Sequence, residues 1–302
     1  MRLNSRQGVK PASPTNEAQT AQSAFDTPSA ARFSQAKPQT GEPGIWKELT
    51  SNQRAHPTGD RVSDDYRVSH SAPGYGEHYN KTHEFGYYGA LWEKIERPLI
   101  QDVLRPMGGS DRKCLDFACG TGRITNVAAG FFGEVVGVDV SKSMLGCARV
   151  SPNVRLLHID MTKQPLDETF DVTTAFRFFL NAEDQLRWDA LKAINEHLKD
   201  GGRLVCNVHM NATSPIGLVS RLLNWLFGRT IRHTLSVARF KELLAASGFL
   251  VEETIPYGYL PRPGSLLPGV CEALMEPFER ASRTLRIPGQ LAQHFLVVAK
   301  KR

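Results

Sequence analysis

The chain has 302 residues, of which 41% are hydrophobic and 23% are charged, and its formal net charge at pH 7 is +6. This length and composition can bury a substantial apolar core, and they favour one large domain over two small ones. The sequence has no apolar run of about 18 residues, which argues against a membrane-spanning helix, and so modest a net charge does not by itself indicate nucleic-acid binding.

The N-terminal segment, residues 1–60, is rich in Ser, Thr, Pro, Gln, Ala and Gly and has few large apolar residues. Because it cannot bury enough surface to offset the entropy of ordering, we predict a disordered tail, with the pair Ile45–Trp46 as an alternative docking motif. The segment lacks the apolar region of a secretory signal, and its scattered Arg and Ser show no amphipathic period typical of a transit peptide. We therefore expect a cytoplasmic protein.

The cysteines support the same compartment. They show no Cys-x-x-Cys spacing and fall mostly within predicted strands or helices, so they are interpreted as reduced core residues. No His, Cys or Asp cluster has the spacing of metal ligands, and no metal is predicted. The five are Cys114, Cys119, Cys147, Cys206 and Cys271.

Aromatic and polar residues crowd the segment that precedes the first predicted helix, near 91–104. We call residues 66–105 the N-terminal cap. Strands and helices then alternate, which predicts an α/β fold with a parallel sheet and helices on both faces, in a domain spanning 61–302. The predicted strands lie near 113–118, 134–139, 154–158, 170–175, 202–209, 250–257 and 294–300. The later helices are predicted near 122–130, 141–150, 183–198 and 237–247.

The stretch from Lys113 to Thr125 is the most informative feature of the sequence. Its apolar first half predicts a buried strand, and Gly120 and Gly122 then allow a turn tight enough for the backbone to approach a ligand. Asp139 ends the next strand about twenty residues later, the spacing at which a carboxylate accepts hydrogen bonds from ribose hydroxyls. The pattern predicts a nucleotide cofactor.

Two details favour one class of nucleotide-binding protein. Thr125 stands where the third glycine of a dinucleotide-binding pattern would fall, and residues 198–209 contain a Gly-Gly turn before a long buried strand. On these motifs the region from Tyr79 to Arg302 resembles the class I S-adenosylmethionine-dependent methyltransferases, most broadly their quinone-biosynthesis-like small-molecule group. A Rossmann-like domain with another ligand, such as a dehydrogenase, remains an alternative.

The resemblance implies a Rossmann-like, seven-stranded, mostly parallel sheet in the order 3-2-1-4-5-7-6, with the final strand antiparallel, and S-adenosyl-L-methionine as the cofactor. In this family the segment before the first strand folds over the cofactor, and Tyr79 matches a tyrosine that often touches it. Packing of the first helix onto the sheet is an equal alternative for Phe85, Tyr87 and Tyr88. The expected cofactor-binding residues are Tyr79, Asp116, Ala118, Gly120, Gly122, Asp139, Val140, Asp160, Met161 and Phe176.

Each acidic residue of this set has an expected role. The resemblance places Asp116 near the cofactor ammonium, directly or through water, and Asp139 at the ribose. It places Asp160 at the adenine amine, with Met161 as an apolar wall. Asp139 could alternatively cap the helix that begins at Ser141, and Asp160 could be an ordinary turn acid.

The rim of the fourth strand is expected to meet the transferred methyl group and the acceptor, which makes Phe176, Arg177 and Phe178 candidates. The rim lacks the Asn/Asp-Pro-Pro-Tyr/Phe motif with which amino-group methylases of DNA and of glutamine hold a planar amine. Nucleobase amines and glutamine are therefore not expected as acceptors. Arg177 could instead pair with a surface acid. Methyl transfer to oxygen benefits from a base, and His209 is the preferred catalytic residue together with Arg177. A structural His209 is the alternative.

His83 and Glu84 are the next candidate bases after His209.

Two further segments, 211–235 and 260–290, are longer than the loops that the sheet and its helices require and are interpreted as lid insertions. Within the first, residues 215–228 place apolar side chains at helical spacing, beside a run from Arg221 to Lys241 that contains no acid. This helix could be a substrate lid, a peripheral membrane contact or an ordinary helix on the sheet edge.

Together these observations predict a methyltransferase that acts on a small-molecule, glycan or lipid-like acceptor, which can be anionic, and transfers the methyl group to oxygen, with no nucleic-acid partner. The alternatives are an N-methyltransferase of a small amine or phospholipid head group, and a cofactor-binding scaffold without turnover. The basic run would attract an anionic acceptor, and Arg229 and Arg232 are its central cations.

Deleting residues 1–60 should leave the melting temperature and the cofactor affinity nearly unchanged, because the segment lacks the apolar residues needed for a core. Differential scanning calorimetry and cofactor titration of the truncated chain test this. A melting temperature that drops by many degrees would show that Trp46 and its neighbours are packed into the fold.

Overall fold

The computed structural model describes residues 74–84, 86–227, 235–260 and 268–302, and every structural statement below concerns these residues. The predicted tail at 1–60, the start of the cap, Phe85, Arg229 and Arg232 lie outside them.

A single seven-stranded sheet organises the described residues. Its strand order is β3-β2-β1-β4-β5-β7-β6. β7 runs antiparallel to β5 and β6, and the other neighbouring pairs are parallel. The predicted fold class and strand order are confirmed. The strands are β1 Gly109–Phe117, β2 Phe132–Asp139, β3 Val154–His158, β4 Phe170–Ala175, β5 Leu198–His209, β6 Phe249–Tyr257 and β7 His294–Lys301.

Helices cover both faces of the sheet. A π-helical turn at Trp92–Glu96 interrupts the first predicted helix and joins α2 to α3, and short 3₁₀ turns lie at Arg105–Met107 and Gly289–Leu291. The α-helices are α1 Tyr75–Glu84, α2 Gly86–Leu91, α3 Arg97–Leu104, α4 Arg123–Ala129, α5 Lys142–Gly146, α6 Asp184–His197, α7 Pro215–Phe227, α8 Val237–Ala246 and α9 Pro268–Thr284.

Two apolar cores result, because successive side chains of a strand point to opposite faces. On β5, Leu204 and Cys206 join a core with the buried sides of α6 and α8. Val205, between them, joins the second core, which contains residues of α2, the π turn and α3. The strands are therefore buried on both faces, as expected for the parallel part of such a sheet.

Two element boundaries differ clearly from the sequence predictions. The predicted helix at 141–150 ends at Gly146, a residue that weakens a helix. β5 begins at Leu198 rather than at 202, because the Gly-Gly pair forms an irregularity within the strand instead of a turn before it. Gly201 provides the left-handed conformation, with φ of 73°, that this irregularity requires.

Gly133, on β2, should tolerate no side chain. An added Cβ would lie 1.9 Å from the carbonyl oxygen of Ser110, a backbone atom that cannot rotate away. We expect Gly133→Ala to lower the free energy of unfolding by about 1–3 kcal/mol. Gly146→Ala is the matched control, since nothing lies within 4 Å of its added Cβ. Urea denaturation of both variants is the test, and equal midpoints would contradict the close approach.

Candidate active site

The loop after β1 forms a backbone cradle at the carboxyl end of the sheet. Ala118, Gly120 and Gly122 adopt left-handed conformations, with φ of 56°, 58° and 82°. An added Cβ at Gly120 would lie 2.9 Å from Cε of Met144. A left-handed alanine is uncommon, and such strain is concentrated at functional sites. The loop therefore has the close-approach geometry that the sequence predicted for it.

Asp139 fixes this loop from the end of β2. Its Oδ2 accepts a hydrogen bond from Gly120 N at 2.8 Å, and its Oδ1 accepts one from Ser141 N at 2.7 Å. Burial raises the pKa of Asp139. Ser141 itself caps α5, so the alternative of Asp139 as the helix cap is wrong. Each oxygen keeps acceptor capacity for a ribose hydroxyl, and that role stays a prediction.

Asp116 is buried inside the sheet edge and is held by two hydroxyl groups. Thr125 Oγ1 donates to its Oδ2 at 2.6 Å, and Thr174 Oγ1 donates to its Oδ1 at 2.7 Å. Burial raises the pKa of Asp116 to about 6, although both hydrogen bonds act in the opposite sense. Asp116 thus ties β1 to α4 and β4, and its contact with a cofactor ammonium stays a prediction.

The remaining predicted cofactor residues lie along the same edge. Asp160 has the geometry of a turn acid, because its Oδ1 accepts hydrogen bonds from Thr162 N at 3.1 Å and Oγ1 at 2.6 Å. The carbonyl oxygen of Val140 lies 3.0 Å from Nε2 of His158. The adenine contact of Asp160 stays a prediction. Met161 is buried in one core and Phe176 in the other.

A buried ion pair joins the N-terminal cap to the rim of β4. Arg177, left-handed with φ of 59°, donates from Nη2 to Glu96 Oε2 at 2.8 Å. Its backbone N–H also donates to Oδ1 of Asn207, on β5, at 2.8 Å. The alternative of a surface acid as the partner of Arg177 is wrong, since Glu96 is 3% exposed.

Polar groups from two further strands, β5 and β6, connect to Glu96. Tyr257 Oη donates to Glu96 Oε1 at 3.0 Å, and Asn207 Nδ2 donates to Tyr257 Oη at 2.9 Å. Burial opposes the charge on Glu96, but Arg177 and His209 hold its pKa well below the ordinary value. The carboxylate is therefore ionised within an otherwise buried polar cluster.

His209 is brought into this cluster. Its Nε2 lies 3.0 Å from Glu96 Oε1, at an angle that falls short of a hydrogen bond. Its ring centroid is 4.5 Å from that of His294, its cross-strand neighbour on β7. Burial lowers the pKa of His209, partly offset by Glu96, so the imidazole is neutral at neutral pH. The geometry is compatible with both a base and a structural histidine.

The cap brings Tyr79 and His83 beside the same cluster. Their rings are stacked with centroids 4.0 Å apart, and Nδ1 of His83 lies 2.9 Å from the carbonyl oxygen of Tyr79. Burial, with Arg177 adding to it, lowers the pKa of His83 to about 3, which makes it a weak base. The side chain of Glu84 lies outside the described part of the chain.

Sequence reasoning missed Glu96, Asn207, Tyr257 and His294. One signal was available for Asn207: it lies two residues before the predicted His209 on β5, so the two side chains share a face of the sheet. Tyr257 and His294 lie with His209 on one row across the sheet, because His294 is in register with both His209 and Tyr257. No local motif marks Glu96, which is 161 residues from Tyr257 in the chain.

Metal ligands and membrane-spanning helices are both absent from the described residues. No group of His, Cys, Asp and Glu is placed to hold a metal ion. No described helix combines the length and apolarity needed to cross a membrane. The five cysteines are free thiols. The cytoplasmic location stays a prediction.

Residues 114–202 match a family described as a methyltransferase domain. The chain is 37% identical over 123 residues to demethylmenaquinone methyltransferase from Staphylococcus aureus, a match that covers 38% of the chain and 50% of the relative. The chain thus spans about half the length of the curated relatives it matches.

Solved structures show the same fold. Magnesium protoporphyrin IX methyltransferase from Synechocystis, with bound SAH, has a TM-score of 0.53 at 14% identity and covers 78% of this chain and 97% of that one. A chain from a Haloferax volcanii complex of a methyltransferase and its activator has a TM-score of 0.50 at 19% identity, covering 78% and 98%.

The fold and the matched domain are those of the class I methyltransferases. The matched domain and the shared fold confirm the resemblance inferred from the sequence, to class I S-adenosylmethionine-dependent methyltransferases with relatives in the quinone-biosynthesis-like group. S-adenosyl-L-methionine is the cofactor of this class.

Replacing the buried carboxylate should be far more destabilising than replacing a surface one. Glu96→Gln leaves the buried guanidinium of Arg177 without its counter-charge, so we expect about 3–5 kcal/mol of unfolding free energy to be lost. Glu93→Gln, one turn away, breaks only the exposed pair with Arg97 and should lose about 1 kcal/mol or less. Urea denaturation compares the two, and equal losses would contradict a desolvated Glu96.

Asp116 should make stability depend on pH between about 4 and 6. Because the folded protein holds this proton more tightly than the unfolded chain, protonation stabilises the fold, and that stabilisation is lost as pH rises through the folded pKa of about 6. The loss is on the order of 3 kcal/mol. Asp116→Asn should abolish this component, measured as the difference between parent and variant denaturation curves across the range. Parallel pH profiles would contradict the raised pKa.

Proposed function

We propose that the protein is an S-adenosylmethionine-dependent methyltransferase that transfers a methyl group to a small-molecule, glycan or lipid-like acceptor, at an oxygen atom. The observation that carries the proposal is the cradle of Ala118, Gly120 and Gly122, locked by Asp139, at the same carboxyl edge of the sheet as the cluster that contains His209. The matched domain supports the reaction class, and the geometry of the polar cluster supports oxygen as the nucleophile.

The residues present fit the cofactor. The cradle is a tight left-handed turn with no side chain at Gly120 or Gly122, so a ligand can come close to its backbone. Asp139 has spare acceptor capacity and a pKa raised by burial, so hydroxyl donors would compensate its desolvation. When bound, the cofactor supplies an electrophilic methyl group on a sulfonium, and in-line displacement requires no metal.

The chain's own residues would then supply alignment and a proton acceptor. His209 is neutral because burial lowers its pKa, so it can take a proton from an acceptor hydroxyl as the oxygen attacks. Glu96, 3.0 Å from its ring nitrogen, would stabilise the imidazolium that forms, and Arg177 holds Glu96 in place. Glu96 and Arg177 are positioning residues in this scheme, and most of the rate enhancement comes from orientation.

The acceptor class is proposed from two sources. The similar Staphylococcus aureus proteins are named for demethylmenaquinone, a small molecule, which favours an acceptor of that kind over a macromolecule. The helix α7, within the segment predicted as a lid, exposes several large apolar side chains, which suits a lipid-like compound. An amine acceptor would need no base and would leave His209 without a role in the reaction.

Asp139→Ala should weaken binding of S-adenosylhomocysteine by about 5- to 150-fold, because it removes a ribose partner and leaves donors unmatched. Asp171→Ala is the matched control: Asp171 likewise accepts a backbone N–H, from Lys113 at 2.9 Å, but lies at the start of β4, away from the cradle. Calorimetric titration of both variants is the measurement, with melting temperatures recorded alongside.

Unchanged affinity in Asp139→Ala, or tighter binding of NAD than of S-adenosylhomocysteine by the parent, would overturn the cofactor assignment. Incubation of the parent with labelled cofactor and a metabolite extract then tests transfer. A labelled product that loses its methyl group to ether-cleaving conditions supports oxygen, and a labelled amine contradicts the oxygen assignment.

A further inference from the structure

Arg123, the first residue of α4, follows the glycine cradle directly. Its guanidinium carbon lies 4.3 Å from the centroid of the Trp92 ring, a cation–π distance. Both terminal nitrogens are buried and make no hydrogen bond of good geometry among the described residues, although Tyr79 is close enough to act as a weak hydrogen-bond partner that raises the pKa of Arg123. A desolvated cationic group with unmatched donors is unfavourable, so the arrangement calls for an acceptor that a ligand can supply.

The surroundings do not neutralise Arg123. Burial lowers its pKa and Arg177 lowers it further, while Tyr79 and Glu96 act in the opposite sense. The carboxylate of Glu96 is already engaged, since Oε2 accepts from Arg177 and Oε1 accepts from Tyr257. The two guanidinium groups thus share one carboxylate, and an excess positive charge remains beside the cradle.

We infer that Arg123 forms an anion subsite that binds the carboxylate of a small molecule occupying the active site. The inference rests on the proposed function and deepens it. Stacking on Trp92 holds the guanidinium plane in a fixed orientation, so that its two terminal nitrogens present a fork that matches a carboxylate. Because both nitrogens are shut off from solvent, neighbouring side chains have to shift for a ligand to reach the subsite.

Two sources can supply the carboxylate: the amino-acid part of the cofactor, or an acidic group on the acceptor. S-adenosylhomocysteine carries the first, and 5′-methylthioadenosine lacks it. Benzoate and its neutral isostere benzamide probe the second. The variant is Arg123→Gln, which keeps polarity but removes the charge, and Arg112→Gln is the control because Arg112 is an exposed cation at the opposite end of β1.

If the cofactor is the source, Arg123→Gln should weaken the binding of S-adenosylhomocysteine at least tenfold. The affinity for methylthioadenosine should stay within twofold of that of the parent. If the acceptor is the source, the variant binds S-adenosylhomocysteine normally. In that case, with S-adenosylhomocysteine present, benzoate should raise the melting temperature of the parent more than benzamide does. Arg123→Gln should lose this difference between the two compounds. In either case the melting temperature without ligand should not fall, whereas a purely structural arginine would lower it.

An Arg123→Gln variant that matches the parent with all four compounds overturns the subsite. If the parent itself does not bind S-adenosylhomocysteine, the proposed function is wrong. The comparison of benzoate with benzamide, made in the absence of S-adenosylhomocysteine, still decides whether Arg123 binds an anion.

A second inference comes independently from α7. This helix packs against the rest of the protein through its small buried residues Gly217 and Ser220. Its outer side exposes large apolar side chains that a globular surface normally hides. Their exposed fractions are Leu218 52%, Val219 54%, Leu222 53%, Trp225 77%, Leu226 59% and Phe227 62%.

The charges near this face have one sign. No acid occurs from Asn211 to Lys241, and Arg221 is the one charged residue on α7 itself. The other described cations of the run lie on α8: Arg239, which pairs with Glu242 at 3.2 Å, and Lys241. A second copy would set these cations against one another, whereas anionic lipid head groups complement them while the apolar side chains enter the interface.

We propose that α7 docks on an anionic lipid bilayer. The protein should co-sediment with vesicles of phosphatidylcholine containing a third phosphatidylglycerol, more weakly with phosphatidylcholine alone, and less at high salt. Leu222→Ser with Trp225→Ser should abolish binding. Leu285→Ser is the control, since Leu285 is 73% exposed beyond the end of α9.

Vesicle binding retained by the α7 double variant, or absent from the parent, overturns the proposal. The parent could instead self-associate in a concentration-dependent way without binding vesicles. If the double variant loses this self-association, a second copy of the chain occupies α7, and the lipid proposal is overturned.

Discussion

One buried carboxylate fixes the relation between the cap and the sheet. Glu96 lies in the π turn between α2 and α3, yet its oxygens meet groups from β4 and β6 and approach the histidine at the end of β5. A charge in such a place is tolerated only when its partners are fixed, and each partner is in turn held by another hydrogen bond. The polar cluster therefore specifies one docking geometry for the cap.

The cradle obeys a similar constraint on the other side of the site. Left-handed residues in the loop are maintained because Asp139 accepts from the amide of Gly120 and Cys119 N donates to the carbonyl oxygen of Val138. The two neighbouring strand ends thus form one unit, and the loop cannot relax without breaking bonds to β2. Rigid backbone beside a tightly held polar cluster is the combination that alignment-driven catalysis needs.

The sequence predicted what is local. Gly120, Gly122 and Asp139 were identified because strand, turn and acid follow one another at a fixed spacing, and the strand order came from resemblance. Glu96 and Tyr257 could not be found, because their meeting depends on how two distant segments pack. Arg123 was passed over for the same reason: nothing in its neighbours along the chain shows that its guanidinium is buried over Trp92.

The π turn at Trp92–Glu96 has a further consequence for how this domain tolerates changes in chain length. A wide turn accommodates one more residue than a regular α-helical turn, and each residue of an α-helix turns the chain by about 100°. Removing one residue from the turn would restore a regular helix but rotate α1 and α2 relative to α3. The number of residues in this turn therefore sets the orientation of the whole cap, and a cap taken from a related domain can replace this one only if it preserves that count.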